Sequence, residues 1–248
     1  MIRFLSALLL SLAATLPAHA AAPQAADPKV LRILFIGNSL TYTNDLPSRL
    51  ARVAQATGRE AHVKMIARAD FSLEDHWTQK TATDALAAEK WDVVVLQQGP
   101  STRADSREEL IASTKRFAEV IRKAGAKPAI YMGWPRAGRK EDFLAVIEAH
   151  RAAAAAADAI LIPAGEAWMR ALAEQPRLRL YSDSLHPTVA GSDLAVLTHY
   201  FSLFPAGPQE FTEAYVSKID AVLSIPNGRR DLFFDAATRA IDSPLAIQ

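Results

Sequence analysis

Five apolar segments recur along the chain, and each is followed by a stretch in which apolar residues have helical spacing. The clearest segment is WDVVVLQ at 91–97, which ends shortly before the break Gly99-Pro100. Continuous apolar runs of this length are typical of parallel strands that are buried on both faces of a sheet. The predicted strands are residues 31–36, 62–67, 91–97, 128–133 and 159–162.

Helix-start signals follow several of these strands. Ser72 can cap a helix that continues to about residue 90. Ser106 and Glu109 have the spacing of a capping box, which predicts a helix start at that serine. The predicted helices cover 45–57, 72–90, 106–124, 141–157, 210–223 and 232–240, with shorter ones beginning at 164 and 187.

Strands that alternate with helices predict an α/β fold. We expect a five-stranded parallel sheet with helices on both faces, which is a three-layer α/β/α sandwich. No linker-like segment and no repeat interrupts residues 31–248, so we expect one domain with a helical C-terminal segment. Ligands bind such sheets at the carboxyl ends of the strands. Polar residues directly after strands are therefore the candidates for chemistry.

The first twenty residues have a different character. Arg3 precedes an apolar run that ends at Ala18-His19-Ala20, which is the pattern of a secretory signal peptide with its cleavage site. The run at 4–16 is shorter than the roughly 20 residues that a membrane-spanning helix needs. We expect cleavage after residue 20, a flexible leader at 21–30, and a mature protein that is secreted to the periplasm without a membrane span.

Charge and composition narrow the function classes. The 28 basic and 27 acidic residues are interspersed and give a net charge of +1, so no basic stripe indicates nucleic-acid binding. The absence of cysteine excludes disulfides, thiol nucleophiles and Cys-ligated metals. His62, His150 and His199 are scattered and expected at surface or packing positions. The triplet Glu-Asp-His at 74–76 is expected on a solvated helix face.

A serine, an aspartate and a histidine occupy positions suited to nucleophilic catalysis. Ser39 follows the first predicted strand, and Asp183 precedes His186 by three residues before a late helix. That spacing lets the carboxylate bind the Nδ1–H of the same imidazole, which leaves Nε2 free to take a proton from a hydroxyl. The sequence therefore predicts Ser39 as nucleophile, His186 as base and Asp183 as the group that orients the base.

These blocks resemble the SGNH (GDSL-type) hydrolases. ILFIGNSLT resembles the first block of that superfamily and DSLHP its last, while WDVVVLQQG, YMGW, IPAGEAW and LYSDSLHPTVAGSDLAV are similar to one bacterial branch of it. The resemblance spans about 31–204 and implies an SGNH/flavodoxin-like fold. It also implies a serine esterase or acylhydrolase without a metal or other cofactor. The same three residues, Ser39, Asp183 and His186, match the family's triad.

Two other blocks depart from the family pattern. The family usually has a glycine after the second strand, whose N–H joins the oxyanion hole, and Asp70 occupies that place here. Aspartate tolerates a left-handed backbone better than most residues, but its carboxylate must face away from an oxyanion. The family's third-block asparagine is absent, and a gapless alignment puts Ser101 there. Gln97 or Gln98 can supply an amide donor instead, as in carbohydrate-acetylesterase relatives. We expect an oxyanion hole of Ser39, Asp70 and one glutamine, with Gln97 favoured because it ends the strand.

One aromatic residue leaves two interpretations open. Trp134 follows the fourth strand and can either form a wall of the substrate pocket or belong to the core. The expected function is cleavage of short-chain esters of small molecules or carbohydrates, a sugar acetyl group among them, through an acyl-enzyme. The alternatives are an acyltransferase that uses the same triad and a catalytically degenerate glycan-binding module.

Overall fold

Five parallel strands form a sheet in the computed structural model, which describes residues 30–205 and 211–246. The predicted signal peptide at 1–20 and nearly all of the leader lie outside the described residues, and the one-domain organisation stays a prediction. The strands are β1 (Leu31–Gly37), β2 (Ala61–Ala67), β3 (Val93–Leu96), β4 (Lys127–Tyr131) and β5 (Ile160–Ile162). Their order in the sheet is β2-β1-β3-β4-β5.

Side chains of β1 alternate between the two faces of the sheet. Ile33 and Phe35 pack into one hydrophobic cluster, and Leu34 and Ile36 pack into the cluster on the opposite face. All four side chains are fully buried. This is why the strand is a continuous apolar run in the sequence, and the predicted three-layer α/β/α fold is confirmed.

Two groups of helices cover the two faces of the sheet. The helices are α1 (Ser39–Tyr42), α2 (Leu46–Ala56), α3 (Leu73–Thr78), α4 (Thr81–Ala88), α5 (Ala104–Lys123), α6 (Phe143–Ala157), α7 (Ala164–Glu174), α8 (Val189–Leu203), α9 (Glu213–Asp220) and α10 (Arg230–Asp242). Buried side chains of α2 and α7 to α10 belong to one cluster, and those of α3 to α6 contribute to the other. None of the helices in the described ranges is long and apolar enough to cross a membrane.

Three helix predictions were wrong in detail. The single helix expected at 72–90 is broken into α3 and α4, because Lys80 has a left-handed backbone with φ of 61°. Neither glycine nor proline marks that break. α5 begins at Ala104, before the predicted start, because the hydroxyl of Ser106 bonds back to the backbone of Arg103 from inside the first turn. α8, which was expected to be short, has 15 residues.

The sheet order creates a crevice at one point of its carboxyl edge. β2 lies on one side of β1 and β3 lies on the other, so the connections after β1 and after β3 run to opposite faces of the sheet. Ligand sites of open parallel sheets form at this kind of switch point. The segments that follow β1 and β3 therefore face the same crevice.

Candidate active site

The turn after β1 carries Ser39 and is fixed by side-chain hydrogen bonds. Asn38 caps α1 because its side-chain oxygen accepts the N–H of Leu40. The amide of the same side chain donates to the carbonyl of Phe71 at 3.1 Å. Ser39 is consequently the first residue of a short helix and is 6% exposed. It lines a cavity of about 280 Å³ at the carboxyl edge of the sheet.

A second turn holds the histidine and its carboxylate. Tyr181 and Pro187 pair through an isolated antiparallel bridge that closes this turn. One oxygen of Asp183 accepts the N–H groups of Leu185 and His186, each at 2.7 Å, and the other accepts Nδ1–H of the imidazole at 2.7 Å. These hydrogen bonds, led by the Leu185 N–H, lower the pKa of Asp183 to about 2. The carboxylate is therefore ionised and fixes the ring of His186.

The two turns meet across 147 residues of sequence. Nε2 of His186 lies 2.9 Å from Oγ of Ser39. Because Nδ1 donates its hydrogen to Asp183, Nε2 of the neutral ring is the acceptor for the serine hydroxyl. The arrangement can remove a proton from the hydroxyl while the carboxylate holds the base in position. The structure brings all three residues of the expected triad together.

Asp70 lies in the turn after β2 and lines the same cavity as Ser39. Its backbone has a φ of 60°, which is the left-handed region that favours glycine. Aspartate is one of the few other residues that adopt this conformation readily. The structure thus gives a physical reason for the glycine that the family usually has at this place.

Gln97 is fully buried behind the serine turn and does not line the cavity. Its side-chain oxygen accepts the N–H of Asn38 at 2.9 Å and the hydroxyl of Thr41 at 2.8 Å. Its amide nitrogen donates to the carbonyl of Gln98 at 2.6 Å. These contacts join the end of β1 to the end of β3. They do not direct the amide of Gln97 toward the cavity, so the preference for it as the oxyanion donor is not supported.

Gln98 is the glutamine that lines the cavity. Its side-chain oxygen accepts the N–H of Leu73 at 3.0 Å, which fixes the orientation of the amide. Its nitrogen donates one hydrogen to Oγ of Ser101 at 3.1 Å, and the described part of the chain offers no acceptor for its second hydrogen. Ser101 occupies the place of the missing asparagine and serves here to hold the glutamine.

Comparison with known proteins identifies the family. No protein-family model matches the chain, and no curated protein sequence matches it. A solved structure from Slackia heliotrinireducens, assigned to the SGNH hydrolases, is 31% identical and superimposes with a TM-score of 0.60. The match covers 71% of this chain and 100% of that one. The chain belongs to the SGNH hydrolase superfamily. It is a serine ester hydrolase by class, as the sequence blocks predicted.

More distant structures share the fold of this SGNH hydrolase. A DUF4886 family protein from Bacteroides uniformis is 19% identical with a TM-score of 0.68, over 89% of this chain and 98% of that one. A variant of an acetyl-xylooligosaccharide esterase from Geobacillus is 15% identical with a TM-score of 0.56, over 70% and 93% of the two chains. At these identities the similarity concerns the fold alone.

Trp134 belongs to the core of the SGNH hydrolase and is not a wall of its cavity. The side chain is fully buried and stacks on Trp168, with ring centroids 3.6 Å apart and planes 6° from parallel. Its indole N–H donates to the carbonyl of Leu185 at 2.9 Å. Of the two interpretations left open by the sequence, the core position is the one the structure supports. The indole also steadies the turn that carries His186.

His76 was expected on a solvated face and is instead fully buried. Its Nε2–H donates to the carbonyl of Gly37 at 2.7 Å, directly before the serine turn. Burial lowers the pKa of His76, so the ring is neutral. The spacing of three residues from the buried Leu73 places both on one helix face, and that spacing was the signal that could have revealed it.

Two further residues of the cavity were not predicted. Glu109, on α5, and Arg136, in the loop after β4, both line the cavity that contains Ser39. Neither belongs to a family block, and single charged residues in loops and on helix faces carry no sequence signal that separates them from ordinary surface charges. Only the fold brings them to the site.

Proposed function

We propose that this protein is a secreted, periplasmic esterase that cleaves short-chain esters through an acyl-enzyme. The observation that carries the proposal is the 2.9 Å contact between Oγ of Ser39 and Nε2 of His186, with Asp183 on the other ring nitrogen. An intact contact of this kind favours catalysis over a degenerate glycan-binding module. Export rests on the signal-peptide pattern of residues 1–20.

In the proposed acylation step, Oγ of Ser39 attacks the ester carbonyl carbon while its proton passes to Nε2 of His186. The carbonyl π-bond breaks and its oxygen becomes an oxyanion. Collapse of this tetrahedral intermediate breaks the bond to the alcohol oxygen, which takes the proton from the imidazolium. Because the pKa of Asp183 is lowered to about 2, its carboxylate stays charged and stabilises the imidazolium.

Deacylation repeats these steps with water in place of the serine. The alcohol product leaves, and His186 takes a proton from a water molecule that attacks the acyl carbon of the Ser39 ester. The second tetrahedral intermediate releases the carboxylic acid and returns the proton to Oγ. The histidine thus alternates between base and acid within one turnover.

The oxyanion is proposed to bind three donors: the N–H of Ser39, the N–H of Asp70 and the side-chain amide of Gln98. All three residues line the same cavity. This assignment replaces Gln97, whose amide is engaged behind the serine turn. Preorganised donors of this kind are usually the largest single contribution to catalysis of acyl transfer.

Short acyl groups suit the size and lining of the cavity. Its volume of about 280 Å³ lies at the lower end of small-ligand sites, and serine, glutamine and charged side chains form much of its lining. One fold relative, from Geobacillus, is described as an acetyl-xylooligosaccharide esterase. We propose acetyl esters of carbohydrates as the substrate class.

The proposal predicts a steep dependence on acyl length. The purified mature protein should hydrolyse 4-nitrophenyl acetate and butyrate, with kcat/KM at least about tenfold higher than for the dodecanoate, because Asp70, Glu109 and Arg136 place charged groups in the cavity lining, where a long apolar chain would desolvate them. Initial-rate assays with 4-nitrophenyl esters from acetate to dodecanoate measure how kcat/KM depends on acyl length. A maximum at dodecanoate would contradict the short-chain assignment, and no hydrolysis of any ester would contradict the esterase itself.

A further inference from the structure

The cavity that contains Ser39 continues into a second depression. The second depression has a volume of about 330 Å³ and shares Pro100, Ser101, Ser106 and Arg136 with the first. Arg136 therefore stands between the reacting serine and the space beyond it. A substrate that extends from the first cavity into the second depression would pass this arginine.

Three arginines line the second depression, and two of them already form ion pairs with carboxylates. Arg103 pairs with Asp105 at 2.9 Å. Arg139 pairs with the carboxylates of 141 and 142 at 2.8 and 3.0 Å. Within the described ranges, Arg136 has no carboxylate at ion-pair distance. Its nearest hydrogen bond is a 3.5 Å contact with the hydroxyl of Ser184. Of these three arginines, Arg136 is therefore the one whose guanidinium can bind an anionic ligand without breaking an existing ion pair.

The backbone around Arg136 is fixed to the turn that carries the histidine. The hydroxyl of Tyr181 donates to the carbonyl of Pro135 at 2.8 Å, and the N–H of Ala137 donates to the carbonyl of Ser184 at 2.9 Å. Both contacts lie within one residue of Arg136. The backbone of Arg136 is therefore held at a defined place relative to the turn that carries the catalytic base, which is the support that a specificity residue needs.

Carboxylates also face the two depressions, and their positions indicate where an anion would bind. Asp70 and Glu109 line the first cavity but not the second. Asp142 lines the second, but it is paired with Arg139. An anionic group is consequently repelled near Ser39 and favoured beyond Arg136.

We propose that Arg136 binds an anionic group, most simply a carboxylate, carried by the ester substrate beyond the reacting carbonyl. Arginine forms two parallel hydrogen bonds with a carboxylate, which gives selection by geometry as well as by charge. The enzyme would then prefer acidic esters, such as acetylated sugar acids, over neutral ones. This inference rests on the proposed esterase function.

Two matched pairs of esters test the inference. On the alcohol side, a mono-O-acetyl methyl glucuronoside is compared with the mono-O-acetyl methyl glucoside. On the acyl side, 4-nitrophenyl hemiglutarate is compared with 4-nitrophenyl pentanoate. The wild-type enzyme should favour the anionic member of one pair about tenfold in kcat/KM, as expected for one charged hydrogen-bonded contact. The pair that shows the preference identifies which side of the ester carries the anion.

Arg136→Gln should lower kcat/KM for the anionic ester about tenfold more than for its neutral partner, and Arg136→Lys should retain part of the preference. Arg107→Gln is the control, because Arg107 pairs with Glu148 and lines neither depression. Equal turnover within both pairs, or a preference that survives Arg136→Gln, would overturn the inference alone. Hydrolysis of none of the four esters would overturn the esterase proposal and this inference with it.

Discussion

Gln97 and Gln98 are adjacent in the chain, yet their side chains lie on opposite sides of the loop after β3. Gln97 accepts two hydrogen bonds from the serine turn, whereas Gln98 lines the cavity. Successive side chains of an extended segment point in opposite directions, so one glutamine facing the site places its neighbour away from it. Gln97 therefore links the two strand ends, whereas the neighbouring Gln98 is available as a hydrogen-bond donor in the cavity.

Single substitutions should separate these two roles. Gln98→Ala should lower kcat for 4-nitrophenyl acetate roughly 100- to 1,000-fold with little change in KM, because the oxyanion loses a donor. Gln97→Ala leaves the N–H of Asn38 and the hydroxyl of Thr41 buried without their acceptor, and should lower the free energy of unfolding by about 1–3 kcal/mol.

Steady-state kinetics and urea unfolding of both variants provide the comparison. The assignment fails if Gln98→Ala keeps wild-type kcat while Gln97→Ala loses turnover at unchanged stability.

Among the helices and strands, the sequence predicted the elements that have a regular hydrophobic pattern. It did not predict features that depend on backbone conformation at one residue or on the direction of one side chain. The strands were predictable because both faces of the sheet are covered, which makes each strand a continuous apolar run. The helix break at Lys80 was not predictable, because neither glycine nor proline marks a lysine that adopts a left-handed backbone between two short helices. The contact of Ser39, Asp183 and His186 was predictable because these residues have a distinctive order and spacing along the chain. The choice between Gln97 and Gln98 was not predictable, since a position at the end of a strand does not determine which way the side chain points.

The loop after β4 and the turn at 181–187 also show what only packing reveals. Trp134 and Tyr181 each donate a hydrogen bond across the gap between these two segments. These two tertiary contacts join positions 51 and 46 residues apart, so they leave no local pattern in the sequence. They explain why Trp134, which could equally have been a pocket wall, is a support for the catalytic turn.

Across the whole molecule, three buried histidines couple stability to pH. His76, His150 and His199 each donate one ring N–H to a backbone carbonyl, and the other ring nitrogen has no hydrogen-bond partner in the described part of the chain. Protonation would therefore bury an unpaired cation. Burial lowers the pKa of His150 and of His199 to about 4, and it also lowers the pKa of His76.

The free energy of unfolding should fall as the pH is lowered from about 6.5 toward 4. The unfolded chain binds protons at His150 and His199 near the ordinary histidine pKa of about 6.5, whereas the folded chain does not protonate these two rings until about pH 4. His150 and His199 should each remove roughly 2 kcal/mol between pH 7.5 and 5.0. Urea unfolding at the two pH values measures the difference, and His150→Gln should reduce it. Equal stability at both pH values would contradict this coupling.

Ser39 is proposed as the nucleophile of an esterase, and the turnover of 4-nitrophenyl acetate by Ser39→Ala tests this role most directly. Circular dichroism and urea unfolding establish that the variant is folded, and Ser184→Ala, which removes a nearby exposed hydroxyl, serves as the matched control. We predict that Ser39→Ala loses at least about 1,000-fold in kcat, because the attacking oxygen is absent, while Ser184→Ala stays within a few-fold of wild type. Wild-type turnover by folded Ser39→Ala would contradict the assignment of the nucleophile and the mechanism built on it.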